Sequence, residues 1–449
     1  MSKPMPASVL QDKRIDKGII RRIMHGFGAN VYGQVVIIII QLAGVPILLS
    51  AWGTQLYGEW LILAAIPTYL SMADLGFSQS AGNDMTARLG RGDTAGTLAV
   101  FQSLSALVYG SAFAGLIIAA SLAAFMPLGS WLHFHALSVT DMRWIIGLFA
   151  AEVLVRLCDG VTHAGFRSHG EYALHVMLNS STMLVQAMSV WAAALLGLGP
   201  AAAAVAFFAV RAIETPLGVA WMLRRHHDIY LGTEHASTHE LRRLYKPALA
   251  NVAMPLAQAL NTQGMLLVVG VVMGPIAAVT FSVLRTLTRL VIQSIATITH
   301  ALEPEVARAW GQGKTALVRT LYFRGLGTNL LLALAATATL YFLGSWIVAL
   351  WTHGRVTMHL ALFHWLLLSA FSTVFWHVGI NFLKALNLHV RAAVWFVLTS
   401  GMAVFMTDIL LRWTHHLDVA GMALVATDVL LGSYALLRMN RLFSQRHVT

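Results

Sequence analysis

The sequence predicts an all-α polytopic membrane protein, with twelve transmembrane helices in two six-helix bundles related by a parallel pseudo-twofold repeat. Three observations predict it. Hydrophobic residues make up 57% of the chain, charged residues only 11%, and the mean hydropathy is +0.70, whereas a soluble domain carries about 25% charged residues. Twelve apolar stretches are each long enough to cross ~30 Å of hydrocarbon at ~1.5 Å per residue. Short motifs recur between the two halves at an offset of 220 to 221 residues.

Taken in order, residues 1–27 are basic and polar and have no apolar core of the signal-peptide kind. Within them, 10–25 is a candidate short amphipathic helix on the inner membrane surface. The spans fall near 28–50, 58–80, 98–126, 142–163, 173–197 and 201–223. After a polar linker at 224–246 come 247–273, 275–300, 319–350, 359–383, 390–411 and 420–440, and then a tail at 441–449. Residues 28–223 and 247–440 are thus the two expected bundles. Pro46, Pro67, Pro216 and Pro255 lie inside spans, where kinks are tolerated.

Of the 30 Lys and Arg, 22 fall in segments on the side of the N-terminus, 3 (Arg143, Arg355, Arg412) on the other side, and the rest within spans. The positive-inside rule therefore puts both termini in the cytoplasm. The net charge of +11 is spread over short loops rather than gathered in a patch, so no nucleic-acid partner is expected. Cys158 is the only cysteine, which excludes an internal disulfide.

The repeat rests on four matches in register. Ala87-Arg88-x-Gly90-x-Gly92-x-Thr94-Ala95 reappears, with one inserted residue, as Ala307-Arg308-x-x-Gly311-x-Gly313-x-Thr315-Ala316. Asn30 corresponds to Asn251 and Gly53 to Gly274. Six spans per half give both halves the same orientation, and parallel repeats of this kind place a substrate site at their interface near the midplane.

The chemistry concentrates in the eighth span. Arg285 and Arg289 lie four apart on one face, continued by Ser282 and Gln293. A central charge on a spanning helix costs at least ~2.5–3.5 kcal/mol on insertion scales, so both must face protein or water. They have no acidic neighbour on their own helix, which leaves a structural ion pair with another helix or a site for an anionic substrate. Arg211 has Glu214 three residues on, and Arg156 sits between Glu152 and Asp159; neutralisation within the helix is the competing reading for both. Amide stripes mark span one (Asn30, Gln34, Gln41) and span seven (Asn251, Gln258, Asn261), suited either to sugar hydroxyls or to plain helix–helix contact. Asp74, Glu214, Asp408 and Asp428 are candidates for ion coupling, with capping or pairing as the alternative. The many loop histidines, among them His226 and His227, lack a Cys or carboxylate at ligand spacing, so no metal is expected. The glycine pairs have no Lys-Ser/Thr after them and no strand before them, and no cofactor site or ATPase domain is legible.

Gly53-Thr-Gln-Leu-Tyr57-Gly58-Glu-Trp60, Ile66-Pro-Thr-Tyr69-Leu and Asp74-Leu75-Gly76, with Leu284-Arg285, Pro304 and Ala307-Arg308-x-x-Gly311-x-Gly313 in the second half, resemble the bacterial polysaccharide (O-antigen and exopolysaccharide) flippases. These belong to the superfamily of multidrug and toxic-compound extruders. The resemblance implies a V-shaped pair of bundles in the bacterial inner membrane that flips an undecaprenyl-pyrophosphate-linked oligosaccharide by alternating access, with a polysaccharide polymerase as a candidate partner. By chemistry and position it implies a cationic cavity holding Arg211, Arg285 and Arg289. The rival readings are a cation-coupled multidrug extruder, which would favour carboxylates and aromatics, and a membrane polymerase or ligase, which would need larger outer loops.

Overall fold

A computed structural model describes residues 17–72, 76–125, 134–386 and 388–445. Its regular secondary structure within these residues is entirely helical, with turns and short loops between the helices. The helices are α1 (Lys17–Ala65), α2 (Phe77–Leu89), α3 (Thr94–Phe125), α4 (Val139–Ser168), α5 (Tyr172–Leu195) and α6 (Pro200–Arg225), then α7 (Thr238–Ala259), α8 (Met265–Met273), α9 (Pro275–Gly311), α10 (Thr315–Trp351), α11 (Leu360–Ala385), α12 (Val390–Thr414) and α13 (Asp418–Gln445).

The first two expected spans are two helices that meet at a kink inside α1, where Gly53 leaves helical backbone (φ 73°, ψ 174°). Helix α1 stops before Pro67, whose ring disfavours helical backbone in the residue ahead of it. The chain tightens there into a 3-10 turn, Ile66–Met72. Span seven is likewise interrupted, by a π-helical turn, Leu260–Gly264, between α7 and α8. Among the described residues nine helices are long and apolar enough to cross a membrane. Helices α4 and α5 fall short on composition, because Glu152, Arg156 and Asp159 lie in α4 and His175, Asn179 and Gln186 in α5. The chain is a multi-pass membrane protein with the expected helical class, though twelve is not its count of clean apolar helices. Of the amphipathic stretch read at 10–25, residues before Lys17 lie outside the described residues.

The internal repeat is visible in the backbone and in the packing. Gly53 has φ 73° and ψ 174°, and Gly274 has φ 88° and ψ 174°. That region is open essentially to glycine alone, which is why the sequence match falls there. Gly92 and Gly313, also matched, both have positive φ (78° and 72°) and end their helices in the same left-handed turn. In the first half α2 packs on α3 and α4, α3 on α4, α4 on α6, α6 on α5, and α5 on α1. In the second half α9 packs on α10 and α11, α10 on α11, α11 on α13, α13 on α12, and α12 on α7 and α8. Each pairing has its counterpart. The contacts between halves also exchange under the repeat, α1 against α9 and α2 against α7.

The two ends of the molecule are tied differently. At the Gly53 end, Arg355 donates to the carbonyls of Leu49 (2.6 Å) and Ser50 (3.3 Å), and Trp351 Nε1 donates to Leu42 O (2.7 Å). These bonds satisfy carbonyls of α1 from the other half. At the opposite end Arg88 meets Asp84 and Glu240 at 2.9 Å each, and Arg243 completes the network on Asp84 and Glu240. Burial alone would raise the Asp84 carboxyl; hydrogen bonds and charge from Arg243 and Arg88 outweigh it and hold the group below its ordinary range. The network fastens α7 to α2. The stretch read as a linker, 224–246, already contains the first turns of α7, and Leu244 packs in the first-half core.

Gly53→Ala should destabilise the protein by about 1–3 kcal/mol through backbone strain, lowering the thermal unfolding midpoint in detergent. Gly28→Ala, with open space around the added carbon, should not lower it. Equal midpoints for Gly53→Ala and the parent would contradict the strained bend.

Candidate functional site

Helix α9 presents Arg285 and Arg289 one turn apart, and both line a cavity of about 360 Å³ in the second half. Pro275 starts this helix at its first turn, where a missing N–H costs nothing. The helix then runs unbroken to Gly311, so both guanidinium groups stay on one face.

Each wall of the cavity has a local reason. The π-turn between α7 and α8 carries Asn261, which accepts a hydrogen bond from Arg285 Nη2. Tyr69 from the first half donates to Ala259 O at the mouth of that turn (3.4 Å). Gln258 lines the same wall, and Gln34 of α1 closes the side toward the first half. Helix α11 contributes Ser369, Thr373, His377 and Asn381, a polar residue at every fourth position and hence one face. Helix α13 contributes Asp428, a buried carboxylate that accepts from Ser369 Oγ, Thr373 Oγ1 (3.1 Å) and Trp376 Nε1 (2.7 Å).

The electrostatics are unbalanced. Among the described residues neither Arg285 nor Arg289 makes an ion pair, although Asp428 shares their cavity. Arg285 lies over the Phe281 ring at 5.5 Å, a favourable contact for a cation. Its Nη1 is buried with no hydrogen-bond partner, and an unsatisfied charged donor carries a desolvation cost. The cavity thus holds two cations against one carboxylate whose lone pairs are occupied by neutral donors. An anionic group with several acceptor oxygens would satisfy both arginines, and hydroxyl-rich groups would find the amides and hydroxyls of α7, α9 and α11.

The cavity borders the seam between halves. Gln293 of α9 donates to Gln41 of α1 (3.2 Å). On the other side of α9, Ser282 and Thr286 join Gln41 in a groove of about 300 Å³ facing the first half. The arginine helix is therefore flanked by space on both sides.

The other sequence candidates are elsewhere. Arg211 is 0% exposed inside the first half. Its guanidinium lies 3.6 Å from Glu152 and 3.1 Å from Glu214, and it donates to Asn179 and Gln186 of α5. It is a buried knot joining α4, α5 and α6, away from Arg285 and Arg289, and Glu214 is spent in it. The neighbouring Asp159 lies 3.7 Å from His175. Asn30 is exposed and donates to Gly26 O within its own helix. Asp408 pairs with Arg412 one turn along (3.0 Å) at an exposed end. Asp74 and the side chain of Asn251 lie outside the described residues. Of the four candidates for ion coupling, Asp428 alone lines the cavity among those described. The sequence reading missed the α11 face; its signal was the fourfold spacing from Ser369 to Asn381.

No family model matches the chain, and no curated protein matches it. Solved structures do. A multidrug resistance MATE family transporter of the MOP superfamily in an inward-facing conformation superposes with a TM-score of 0.73 at 14% identity, covering 94% of this chain and 96% of that one. This chain has that fold. The outward-facing conformation of such a transporter gives 0.64 at 16% identity over 94% and 96%. A MATE structure in a bent conformation gives 0.59 at 17% identity over 94% and 95%. These likenesses span nearly the whole chain and establish the arrangement of two helical bundles.

Arg211→Ala should cost about 3–5 kcal/mol, because it strands Glu152 and Glu214 in the interior. Thermal unfolding in detergent should show a far larger drop than for Arg289→Ala, which removes an unneutralised charge. Equal drops would contradict the distinction between knot and cavity.

Proposed function

We propose that this chain is an alternating-access membrane transporter, rather than an enzyme, and that its substrate places an anionic group on Arg285 and Arg289. The observation that carries the reading is a pair of half-buried arginines lining one cavity with no ion pair among the described residues. Arginine suits phosphate oxygens because its planar fork donates two parallel hydrogen bonds. A volume of about 360 Å³ is at the lower end for ligand pockets; it fits a pyrophosphate and part of a sugar, with the rest of a larger substrate left in the cleft. The fold supports two bundles that rock about the seam. The α1-to-Arg355 contacts at the end read as outer are consistent with a cleft closed there.

The finer reading is a lipid-linked oligosaccharide carried from the inner to the outer leaflet of a bacterial inner membrane, with both termini cytoplasmic and a polymerase to consume the product. The cationic, amide-lined cavity and the sequence resemblance support it. A second reading is a cation-coupled multidrug extruder. Two solved structures that share the fold are of a multidrug resistance MATE family transporter, and Asp428 in the cavity supplies a carboxylate for a coupling ion.

Replacing Arg285 and Arg289 together by Ala should reduce export of a pyrophosphate-linked glycan to background in reconstituted vesicles while the protein remains inserted; Lys at both positions should restore part of it. Under the second reading the double variant would still extrude cationic dyes, and Asp428→Asn would stop that. Full glycan export by the double Ala variant would reject the anion site.

A further inference from the structure

Outside the cavity, the structure gathers metal-ligating side chains that the sequence keeps apart. We propose that His169, His226 and Asp228 form a binding site for a divalent transition-metal cation, of zinc, cobalt or nickel type, at the Arg88 end of the first bundle. His169 ends α4 and His226 ends α6. Asp228 follows two residues later. One nitrogen of each histidine and one carboxylate oxygen all lie within 4.8 Å of one another.

Three features favour a metal over an ordinary ion pair. His169 Nδ1 lies 2.8 Å from Gly165 O, which can only accept, so Nδ1 carries the hydrogen. A histidine that donates through one nitrogen to a backbone carbonyl presents the other as a fixed lone pair, the usual arrangement of a metal ligand. That other nitrogen, Nε2, faces both oxygens of Asp228 at 3.1 Å. Two electron-rich groups at that distance are stable only with a cation on or between them. The imidazoles of His169 and His226 are stacked at 3.9 Å, a spacing at which protons on both would repel, so two separate His–carboxylate ion pairs are a poor description of the cluster. Finally, both histidines cap the C-termini of their helices, where the carbonyl ends favour a cation.

The dimensions suit this. Ligands at ~2.0–2.1 Å from a tetrahedral ion stand about 3.3 Å apart. The His169–Asp228 pair is already near that spacing; the widest pair must close by at most about 1.5 Å, and the stacked rings must turn so that their in-plane lone pairs converge, side-chain adjustments at a partly exposed site. Two imidazoles and one carboxylate leave positions for water. Glu171 stands beside the cluster, 3.2 Å from His226 Nε2, but is engaged by Arg225 through two hydrogen bonds of 2.9 and 3.0 Å, so it orients the ring. The ion would fasten the α4–α5 turn to the segment after α6, stiffening the root of the connection between the bundles. His169 and the His226–Asp228 pair are far apart in sequence and meet because α4 and α6 run parallel, with their C-terminal ends side by side.

The test is titration of the full-length, tag-free protein with Co²⁺, followed by its visible absorption and by calorimetry. One ion per chain is expected, with spectra of a four- or five-coordinate site. The double variant His169→Ala/His226→Ala should lose it, and Asp228→Asn, at an exposed position, should weaken it by more than ~10-fold, the least that loss of an outer partner costs. His415→Ala/His416→Ala should leave it intact. No Co²⁺ bound by the parent chain, or the same stoichiometry and affinity in Asp228→Asn and the double variant, would overturn the proposal. Thermal unfolding with and without Co²⁺ gives a second readout: the parent should be stabilised by the ion and Asp228→Asn should not.

Discussion

Two guanidinium groups on a helix that crosses a membrane set the terms for the rest of this structure. Each would cost at least ~2.5–3.5 kcal/mol at the centre of a bilayer, and they stand one turn apart on α9. The second half answers with space and polarity. Asn261, Phe281 and the hydroxyl and amide face of α11 surround them, and the buried carboxylate that shares their cavity, Asp428, is satisfied by three neutral donors. Arg211 in the first half meets the same constraint in the opposite way, with two carboxylates and two amides closing around it. One arrangement neutralises its charge with carboxylates, although Arg211 Nε has no hydrogen-bond partner; the other, among the described residues, has no ion pair at all.

The repeat makes this asymmetry informative. Both halves share the same helix pairings and the same glycine bend, so the frame is duplicated. The chemistry is not. At the offset that relates Gly53 to Gly274, Arg285 and Arg289 correspond to Ala64 and Thr68, and Thr288 to Pro67. In the first half the helix ends before that proline and gives way to the 3-10 turn. In the second half it continues, and only a continuous helix holds both arginines on one face. The π-turn at Leu260–Gly264 is a second departure from regular helix. Such turns recur at functional sites, and this one carries the partner of Arg285.

How far the sequence reached follows from which interactions are local. The helical class, the repeat and the eighth-span arginines were legible because they depend on composition, periodicity and glycines that no other residue can replace. The kink between the first two spans was legible only through the match of Gly53 with Gly274, because the backbone angles that demand glycine there leave no trace in composition or periodicity. Arg211 was grouped with Arg285 and Arg289 because its intrahelical partner, Glu214, was readable while Glu152, on another helix, was not. The same limit hid the α11 face: Ser369, Thr373, His377 and Asn381 show the spacing, but only packing against α9 and α13 shows where that face points. His169 and Asp228 met for the same reason.

The central claim is that the space beside Arg289 is wet and reachable from the membrane surface. Ile292 lines the cavity next to it, and Cys158 is the only native cysteine, so Ile292→Cys in a Cys158→Ser background gives a single reporter with both arginines intact. Its rate of reaction with a charged, membrane-impermeant thiol reagent, measured with and without inorganic pyrophosphate, tests the claim most directly. The account predicts rapid labelling that pyrophosphate slows, and loss of that protection when Arg285 and Arg289 are both replaced by Ala. A thiol that reacts only with lipid-soluble reagents, or one that pyrophosphate never protects, would contradict it.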